Sequence, residues 1–283
     1  MKMHLVLILS LVFVFMSKTV GSEIVIKGSD TLGAKLIPML TERYRAKNPD
    51  IKFSITAEGT ESGFQSLFSK ECDIGMASRP LTDDERLHFA EKNIALNARI
   101  IGYSMTAIIV HKENPVTNLT VQDLEKIFTG EVIDWREFGA EGTIVAYHKN
   151  SSTEMYKSFQ QMAMRGRPYG TTVQALYGGP PHRVFEEPEN RRRAITYVGL
   201  PFASGSALKL LSVNGITPTN PYATKYPLTR KLLLYTRSDL PKEVHAFMDW
   251  ICSSEEAFAI TENVGFASIR TNVAPSASAL PHD

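Results

Sequence analysis

The chain has 283 residues, enough for two domains of ordinary size, and its 43% apolar and 22% charged composition is typical of a folded globular protein. Its 31 Lys and Arg residues nearly balance its 30 Asp and Glu residues. Because nucleic-acid binding rests on neutralising many phosphates, this balance argues against a nucleic-acid partner.

The first segment, residues 1–22, has the pattern of a secretory signal peptide. Lys2 supplies a basic start, an apolar run covers residues 5–16, and small residues lead to Ser22. The run is shorter than the roughly 20 residues that a membrane-spanning helix needs. We therefore expect cleavage near Ser22 and export. No Cys lies near that position to carry a lipid, so a lipoprotein is not expected.

After this segment, short apolar strands alternate with helices. Residues 24–26 are typical of a buried strand, and apolar residues then recur every four positions from Leu32 to Tyr44, as on one face of a helix. Pro38 should kink this helix or delay its regular part. Alternating apolar residues over 51–55 predict a half-buried strand.

The same alternation continues through the middle and end of the chain. Further strands are predicted at 74–76, 108–111, 143–147, 208–213 and 232–235, and further helices at 121–128, 153–164, 242–252 and 255–263. Thr120 is the expected cap of the helix at 121–128. The Pro- and Gly-rich residues 165–188 predict a surface loop, and residues 274–283 a frayed tail. This order predicts mainly parallel sheets with helices on their faces.

Four polar turns, which follow predicted strands, could bind a small anion. They are residues 29–31, 58–60, 78–79 and 151–153. Three lead directly into a predicted helix, where unpaired backbone N–H groups and a partial positive charge favour anions. Hydroxyls add donors, and Arg79 adds a permanent charge. Such turns meet at the carboxyl edge of an open α/β sheet. Ordinary helix capping by Ser and Thr is the alternative explanation.

Patterns that would indicate an enzyme or a metal site are missing from the sequence. There is no G-x-S-x-G elbow, no phosphate-binding loop and no dinucleotide fingerprint, and Glu58 and Glu61 lack a catalytic partner. The Cys and His residues do not cluster at metal-ligand spacing, so we expect no metal, no cofactor and no catalysis. Cys72 and Cys252 could form a disulfide or stay free.

Five segments of the chain resemble, in the same order, the phosphate-binding proteins of ABC transporters. They are residues 24–31, 58–63, 73–81, 118–135 and 226–230, with the sequences IVIKGSDT, EGTESG, DIGMASRPL, NLTVQDLEKIFTGEVIDW and YPLTR. The resemblance implies an α/β, two-lobed periplasmic binding protein fold of type II-like form. Each lobe would be a mainly parallel sheet flanked by helices, and two crossover strands would join the lobes. Lobe one would be residues 23–105 plus 233–283, and lobe two residues 106–232.

The resemblance also implies a set of ligand-binding residues on both lobes. They are Thr31, the backbone N–H of Leu32, Thr60, Ser78 and Arg79 in lobe one, and Ser151, Ser152 and Thr153 in lobe two. Further candidate binding residues are Asp30, Tyr147 and Lys149.

Two positions depart from the family pattern. The family commonly has an Arg four residues before an S-G-T triplet, where this chain has Tyr147, and the middle Gly of the triplet is Ser152. Lys149 or His148 could replace the lost charge, or Arg79 could supply it alone.

A selective phosphate site also needs a carboxylate to accept the ligand's proton. Asp30, Glu58 and Glu61 are candidates among which the sequence does not choose.

The function implied by the resemblance is capture of inorganic phosphate in the cleft between the lobes. The protein would be periplasmic and monomeric, and it would deliver phosphate to the membrane permease of an ABC transporter. Two alternatives stay open: a surface or sensory protein with the same lobes, and a binder of another oxyanion such as sulfate, molybdate or arsenate. A secreted phosphoryl-transfer enzyme is a third, which lacks a catalytic constellation.

Overall fold

The computed structural model describes residues 22–176 and 181–272. The predicted signal peptide up to residue 21, the predicted tail and residues 177–180 of the predicted surface loop lie outside the described residues. Within the described ranges, no helix has both the length and the apolar character needed to cross a bilayer.

Strands and helices alternate through most of the described chain. The strands are β1 (Glu23–Gly28), β2 (Lys52–Ala57), β3 (Ile74–Ala77), β4 (Leu96–His111), β5 (Asn118–Leu119), β6 (Val145–His148), β7 (Gln174–Ala175), β8 (Ala194–Gly199), β9 (Leu208–Val213), β10 (Thr229–Arg237) and β11 (Ala267–Ser268). The α-helices are α1 (Asp30–Gly33), α2 (Leu36–Lys47), α3 (Thr60–Phe68), α4 (Asp83–Glu91), α5 (Val121–Phe128), α6 (Glu154–Met164), α7 (Lys242–Ser253) and α8 (Glu255–Asn263).

Lobe one is built on the strand order β2-β1-β3-β10-β4, in which β2, β1 and β3 are parallel. Helix α3 lies directly on this sheet because Gly63 has no side chain. A Cβ at Gly63 would lie 2.9 Å from the Cα of Gly28 and 2.9 Å from the carbonyl oxygen of Lys27. This close approach fixes the position of Thr60, the first residue of α3.

Lobe two is built around the second half of β4, which pairs antiparallel with β8 and β9, while β6 runs parallel to β8. Its core is rich in aromatic side chains. The rings of Phe159 and Tyr197 stack with centroids 3.8 Å apart, and Phe128 packs edge-on against both. Helices α5 and α6 cover this core and so position the start of α6.

Two strands connect the lobes. Strands β4 and β10 pair antiparallel from Thr229 opposite Met105 to Arg237 opposite Leu96. Every antiparallel pair of named strands in the described chain involves β4 or β10. The two-lobed α/β fold predicted from the sequence is therefore confirmed.

The exact lobe boundaries stay a prediction, which the distribution of buried residues supports. Buried clusters on one side draw on residues 24–101 and 232–266, and those on the other side draw on residues 103–228 together with Ala267.

Several local predictions are confirmed. A single helical turn, α1, ends before Pro38 takes the third position of α2, where a missing N–H costs little. Thr120 caps α5 in a reciprocal arrangement with Asp123. The sequence left the state of Cys72 and Cys252 open, and in the structure both are free thiols.

The strand predictions were incomplete at the crossover. The predicted strand at 108–111 is only the end of the 16-residue β4, and β10 extends beyond the predicted 232–235. Strand β8 was not predicted. Each crossover strand passes from the core of one lobe into the core of the other. The alternation of buried and exposed residues that predicts a strand is therefore not kept along its whole length.

Candidate functional site

Two adjoining cavities, of about 970 Å³ and 660 Å³, lie between the lobes. Asp30, Thr153, Glu154 and Arg230 line both of them. Since Asp30 belongs to lobe one, Thr153 to lobe two and Arg230 to a crossover strand, the cavities are two parts of one interlobe cleft.

The lobe-one wall of the larger cavity contains a buried pair of hydroxyls. Thr60 begins α3 and Ser78 follows β3. The backbone N–H of Ser78 donates to Thr60 Oγ1 at 3.1 Å, and the two hydroxyl oxygens lie 3.3 Å apart. Gly59, with φ of +103°, precedes α3 and offers no side chain to cap it. The first-turn N–H groups of α3 therefore stay available beside these hydroxyls.

Arg79 also lines the larger cavity, but its charge is already paired. Its guanidinium donates to both carboxylate oxygens of Glu85, at 2.7 and 2.8 Å, and to the carbonyl oxygen of Pro80. The hydrogen bond to Glu85 raises the pKa of Arg79. Burial alone would raise the pKa of Glu85, but hydrogen bonds from Arg79 and Thr82 lower it overall. The role of Arg79 as a ligand contact stays a prediction. The positive charge that supported this prediction is paired with Glu85 in the structure.

The turn at the start of α1 contributes to both cavities. Asp30 lines both, and Thr31 lines the smaller one, with its backbone N–H donating to Asp30 Oδ1 at 2.9 Å. The side chain of Leu32 is buried in the lobe-one core, so only its backbone could reach a ligand.

The lobe-two wall is formed by the turn that opens α6. Thr153 lines both cavities and caps the helix, accepting from the backbone N–H of Tyr156 and donating to the carbonyl oxygen of Asn150. Ser152 lines the larger cavity and donates its N–H and its hydroxyl to Asn150 Oδ1. Ser151 is exposed and lines neither cavity. Capping thus accounts for part of this polar turn, as the alternative explanation held.

Tyr147 and Lys149, on either side of His148, point to different places. The Tyr147 hydroxyl accepts from Asn190 at 3.2 Å, and the residue lines neither cavity. Lys149 lines the smaller cavity and makes no ion pair within the described ranges. Burial lowers the pKa of Lys149. Of the two, only Lys149 can offer a charge to the cleft.

Arg230 is a candidate functional residue that sequence reasoning missed. It is 6% exposed, it lines both cavities, and its Nε, Nη1 and Nη2 have no hydrogen-bond partner among the residues that the structure describes. Burial lowers the pKa of Arg230, and the carboxylates of Glu154 and Asp30 act against that shift. A signal was present in the sequence: Arg230 closes the segment YPLTR, which resembles the family, and it lies two residues before the predicted strand at 232–235.

This arrangement offers many donors and no metal-binding group. Among the described residues, no cluster of His, Cys, Asp and Glu side chains could hold a metal ion. Hydroxyls, helix-start N–H groups and a buried guanidinium instead favour a small anion.

Comparison with known proteins relates the whole site-bearing region to one family. A family model described as a PBP superfamily domain matches residues 16–255. A phosphate-binding protein PstS from Borreliella burgdorferi is 27% identical over 264 residues, covering 89% of this chain and 92% of that protein. One from Staphylococcus haemolyticus is 26% identical, covering 86% of this chain and 79% of that protein.

Solved structures agree with the fold. The crystal structure of PstS from Borrelia burgdorferi has a TM-score of 0.71 and 26% identity, covering 87% of this chain and 98% of that one. An ABC-type phosphate transport receptor from Vibrio cholerae has a TM-score of 0.73 at 23% identity, covering 86% and 99%. The second likeness shows the fold alone.

Proposed function

The chain belongs to the PBP superfamily, and we propose that it is a substrate-binding protein that captures inorganic phosphate for the permease of an ABC transporter. The relatives named phosphate-binding protein PstS support this proposal, because the likeness covers most of both chains. We further propose that the protein is exported to the periplasm, acts as a monomer, and binds its ligand without catalysis or a cofactor.

The observation that carries the proposal is the convergence of donors from both lobes on one cleft. Thr60 and Ser78 come from lobe one, and Thr153 comes from lobe two. A tetrahedral anion between them would accept hydrogen bonds from hydroxyls and helix-start N–H groups on opposite sides. Hydrogen bonds to a charged group contribute about 1.5–3 kcal/mol each, more than neutral ones.

The proposed ligand contacts keep the full set inferred from the resemblance. In lobe one they are Thr31, the Leu32 N–H, Thr60, Ser78 and Arg79, and in lobe two Ser151, Ser152 and Thr153, with Asp30 and Lys149 as further candidates. Within this set Ser151 would contribute least to the affinity, since it lies outside both cavities.

Closure of the lobes is part of the proposed mechanism. A closed state would bring Thr60 and Thr153 closer to one small anion, because the larger cavity, which both residues line, has a volume of about 970 Å³. Phosphate would bind the closed state more tightly and shift the population toward it.

Phosphate is favoured over sulfate by the carboxylates of the cleft. Asp30, Glu58 and Glu61 line the larger cavity, as does Glu154. A carboxylate can accept a hydrogen bond from a protonated phosphate, whereas fully ionised sulfate has no proton to donate and is repelled.

Calorimetric titration of the purified, phosphate-free protein with phosphate, arsenate, sulfate and molybdate tests the proposal. Saturable one-to-one binding of phosphate, with much weaker binding of sulfate, is the expected result. Tight binding of sulfate or molybdate without phosphate binding would contradict the ligand assignment. No measurable binding of any of the four anions would favour the alternative of a surface or sensory protein.

A further inference from the structure

The guanidinium of Arg230 is a charge that the fold leaves without a partner. All three of its nitrogens are buried and make no hydrogen bond with the described part of the chain. Asp30 and Glu154 act on it electrostatically, but neither forms an ion pair with it within the described ranges. Arginine stays protonated in proteins, so burial cannot be relieved by losing the proton. Burying an unpaired charge costs free energy of folding. Because Arg230 lies between two open cavities, this unpaired charge indicates a place where an anion could bind.

The other charges of the cleft are close to balance and less buried. Four acidic and five basic side chains line the two cavities, and Arg230 is the one buried member of these nine. They are Asp30, Glu58, Glu61 and Glu154, with Arg79, Lys149, Lys157, Arg230 and Lys231. Water screens the exposed charges, whereas a buried charge acts through a lower dielectric.

Resting on the proposed function, we propose that Arg230 supplies the principal positive charge that holds the bound anion. Strand β10 carries it at the crossover, opposite Ser104 of β4. The anion would therefore sit at the floor where the two cavities meet. The lobes would close on it mainly with neutral donors, and Arg79 would contribute less charge than Arg230 because it is paired with Glu85.

A second arginine on the same strand shows what a structural role looks like. Arg237 is buried too, but its Nη1 donates to the carbonyl oxygen of Cys72 at 2.7 Å, and its Nε pairs with Asp239. It lines neither interlobe cavity. Arg237 thus ties lobe one together, and it provides a control matched in residue type, strand and burial.

The test compares Arg230→Met, Arg230→Lys and Arg237→Met with the unaltered protein. Each is dialysed free of phosphate, its Tm is measured, and it is titrated calorimetrically with phosphate, arsenate, sulfate and molybdate. We expect Arg230→Met to weaken phosphate binding at least 100-fold. Its Tm without phosphate should be equal or higher, since removing an unpaired buried charge removes its cost. Arg230→Lys should lose at least tenfold, because an ammonium lacks the planar fork.

The control should show the opposite pattern. Arg237→Met should lower the Tm and leave the phosphate Kd within threefold. A phosphate Kd within threefold for Arg230→Met would overturn the inference. So would a fall in Tm for Arg230→Met as large as for Arg237→Met, because a structural role would then explain the loss of binding.

The experiment separates this inference from the proposed function. If the unaltered protein binds only another of the four anions and Arg230→Met abolishes that binding, the assignment of phosphate as the ligand is wrong, and the inferred role of Arg230 holds. If phosphate binds equally well with and without Arg230, the function stands and the inference fails. If the unaltered protein binds none of the four anions, both fail.

Discussion

The two walls of the cleft differ in how firmly they are built. On the lobe-one wall, Thr60 at the start of helix α3 and Ser78 after strand β3 are buried and hydrogen-bonded to each other. On the lobe-two wall, Ser152 is exposed, and it and Thr153 bond to Asn150, a residue of the same turn. One wall is held by long-range packing, and the other by local hydrogen bonds.

Under the proposed function, this difference predicts that the walls act in sequence. The lobe-one donors are already in place, so an anion would dock there with little rearrangement. The lobe-two donors would have to exchange their bonds to Asn150 for bonds to the anion as the lobes close. Variants on the lobe-one wall should therefore cost more than variants on the lobe-two wall.

Among variants of the two walls, the largest combined effect on stability and binding should come from Gly63→Ala, which disrupts the packing of the lobe-one wall without removing a proposed contact. The added Cβ would meet backbone atoms of Gly28 and Lys27, so α3 must move off the sheet. We expect the free energy of unfolding to fall by about 1–3 kcal/mol, as in other overpacked sites. Phosphate affinity should fall at least tenfold because Thr60 moves with α3.

Denaturant unfolding and calorimetric titration measure both effects. Gln65→Ala, at an exposed position of the same helix, is the matched control and should change the free energy of unfolding by less than about 0.5 kcal/mol. An unchanged phosphate Kd in a folded Gly63→Ala protein would mean that the position of α3 on the sheet does not determine the phosphate affinity.

Thr60→Val comes next, because it removes one hydroxyl and keeps the shape of the side chain. We expect phosphate affinity to fall roughly ten- to hundredfold, the range for a hydrogen bond to a charged group. Thr261→Val is the control, since Thr261 is equally buried in lobe one and its hydroxyl donates within α8. Equal phosphate Kd values for the two variants, measured by calorimetry, would contradict the claim that the Thr60 hydroxyl of the lobe-one wall binds phosphate.

A smaller, pH-dependent effect is expected at Lys149. Its pKa is lowered by burial from 10.5, so it loses its proton at lower pH than a free lysine. Loss of the positive charge should weaken anion binding as the pH rises from about 8 to about 10. Lys149→Arg keeps the charge and should flatten this fall, whereas Lys149→Gln should bind weakly at both pH values. Phosphate titrations at both pH values measure the slopes, and identical slopes for all three proteins would exclude Lys149.

The smallest effect should be that of Ser151→Ala. Ser151 is exposed and outside both cavities, so its loss should change the phosphate Kd by less than about threefold, less than one neutral hydrogen bond. A loss as large as that of Thr60→Val would show that closure turns Ser151 onto the anion, and the two walls would then be equal partners.

The sequence was sufficient for the fold and for much of the lobe-one wall. The Gly and hydroxyl residues of EGTESG and MASRP mark ends of parallel strands, and parallel strands align those ends by geometry. Thr60 and Ser78 could therefore be paired in advance. The packing role of Gly63 was not foreseen, because it depends on the distance between a helix and a sheet.

The charges of the site could not be assigned from the sequence. Arg79 was expected to bring a permanent charge to the site, with Lys149 and His148 as alternatives, but the carboxylate of Glu85, six residues later, pairs with its guanidinium. Arg230 lies in the segment 226–230 that resembles the family. Only the three-dimensional arrangement of the two lobes shows that its guanidinium has no hydrogen-bond partner among the described residues. Charge pairing is set by tertiary neighbours, which no local pattern contains.

A crystal structure of the protein with phosphate would test the central claim most directly. We expect one anion where the two cavities meet, within hydrogen-bond distance of Thr60 or Ser78, of the α6 turn and of Arg230, with the lobes closer together. Phosphate bound elsewhere, or held by one lobe while Arg230 stays without a partner, would contradict the account.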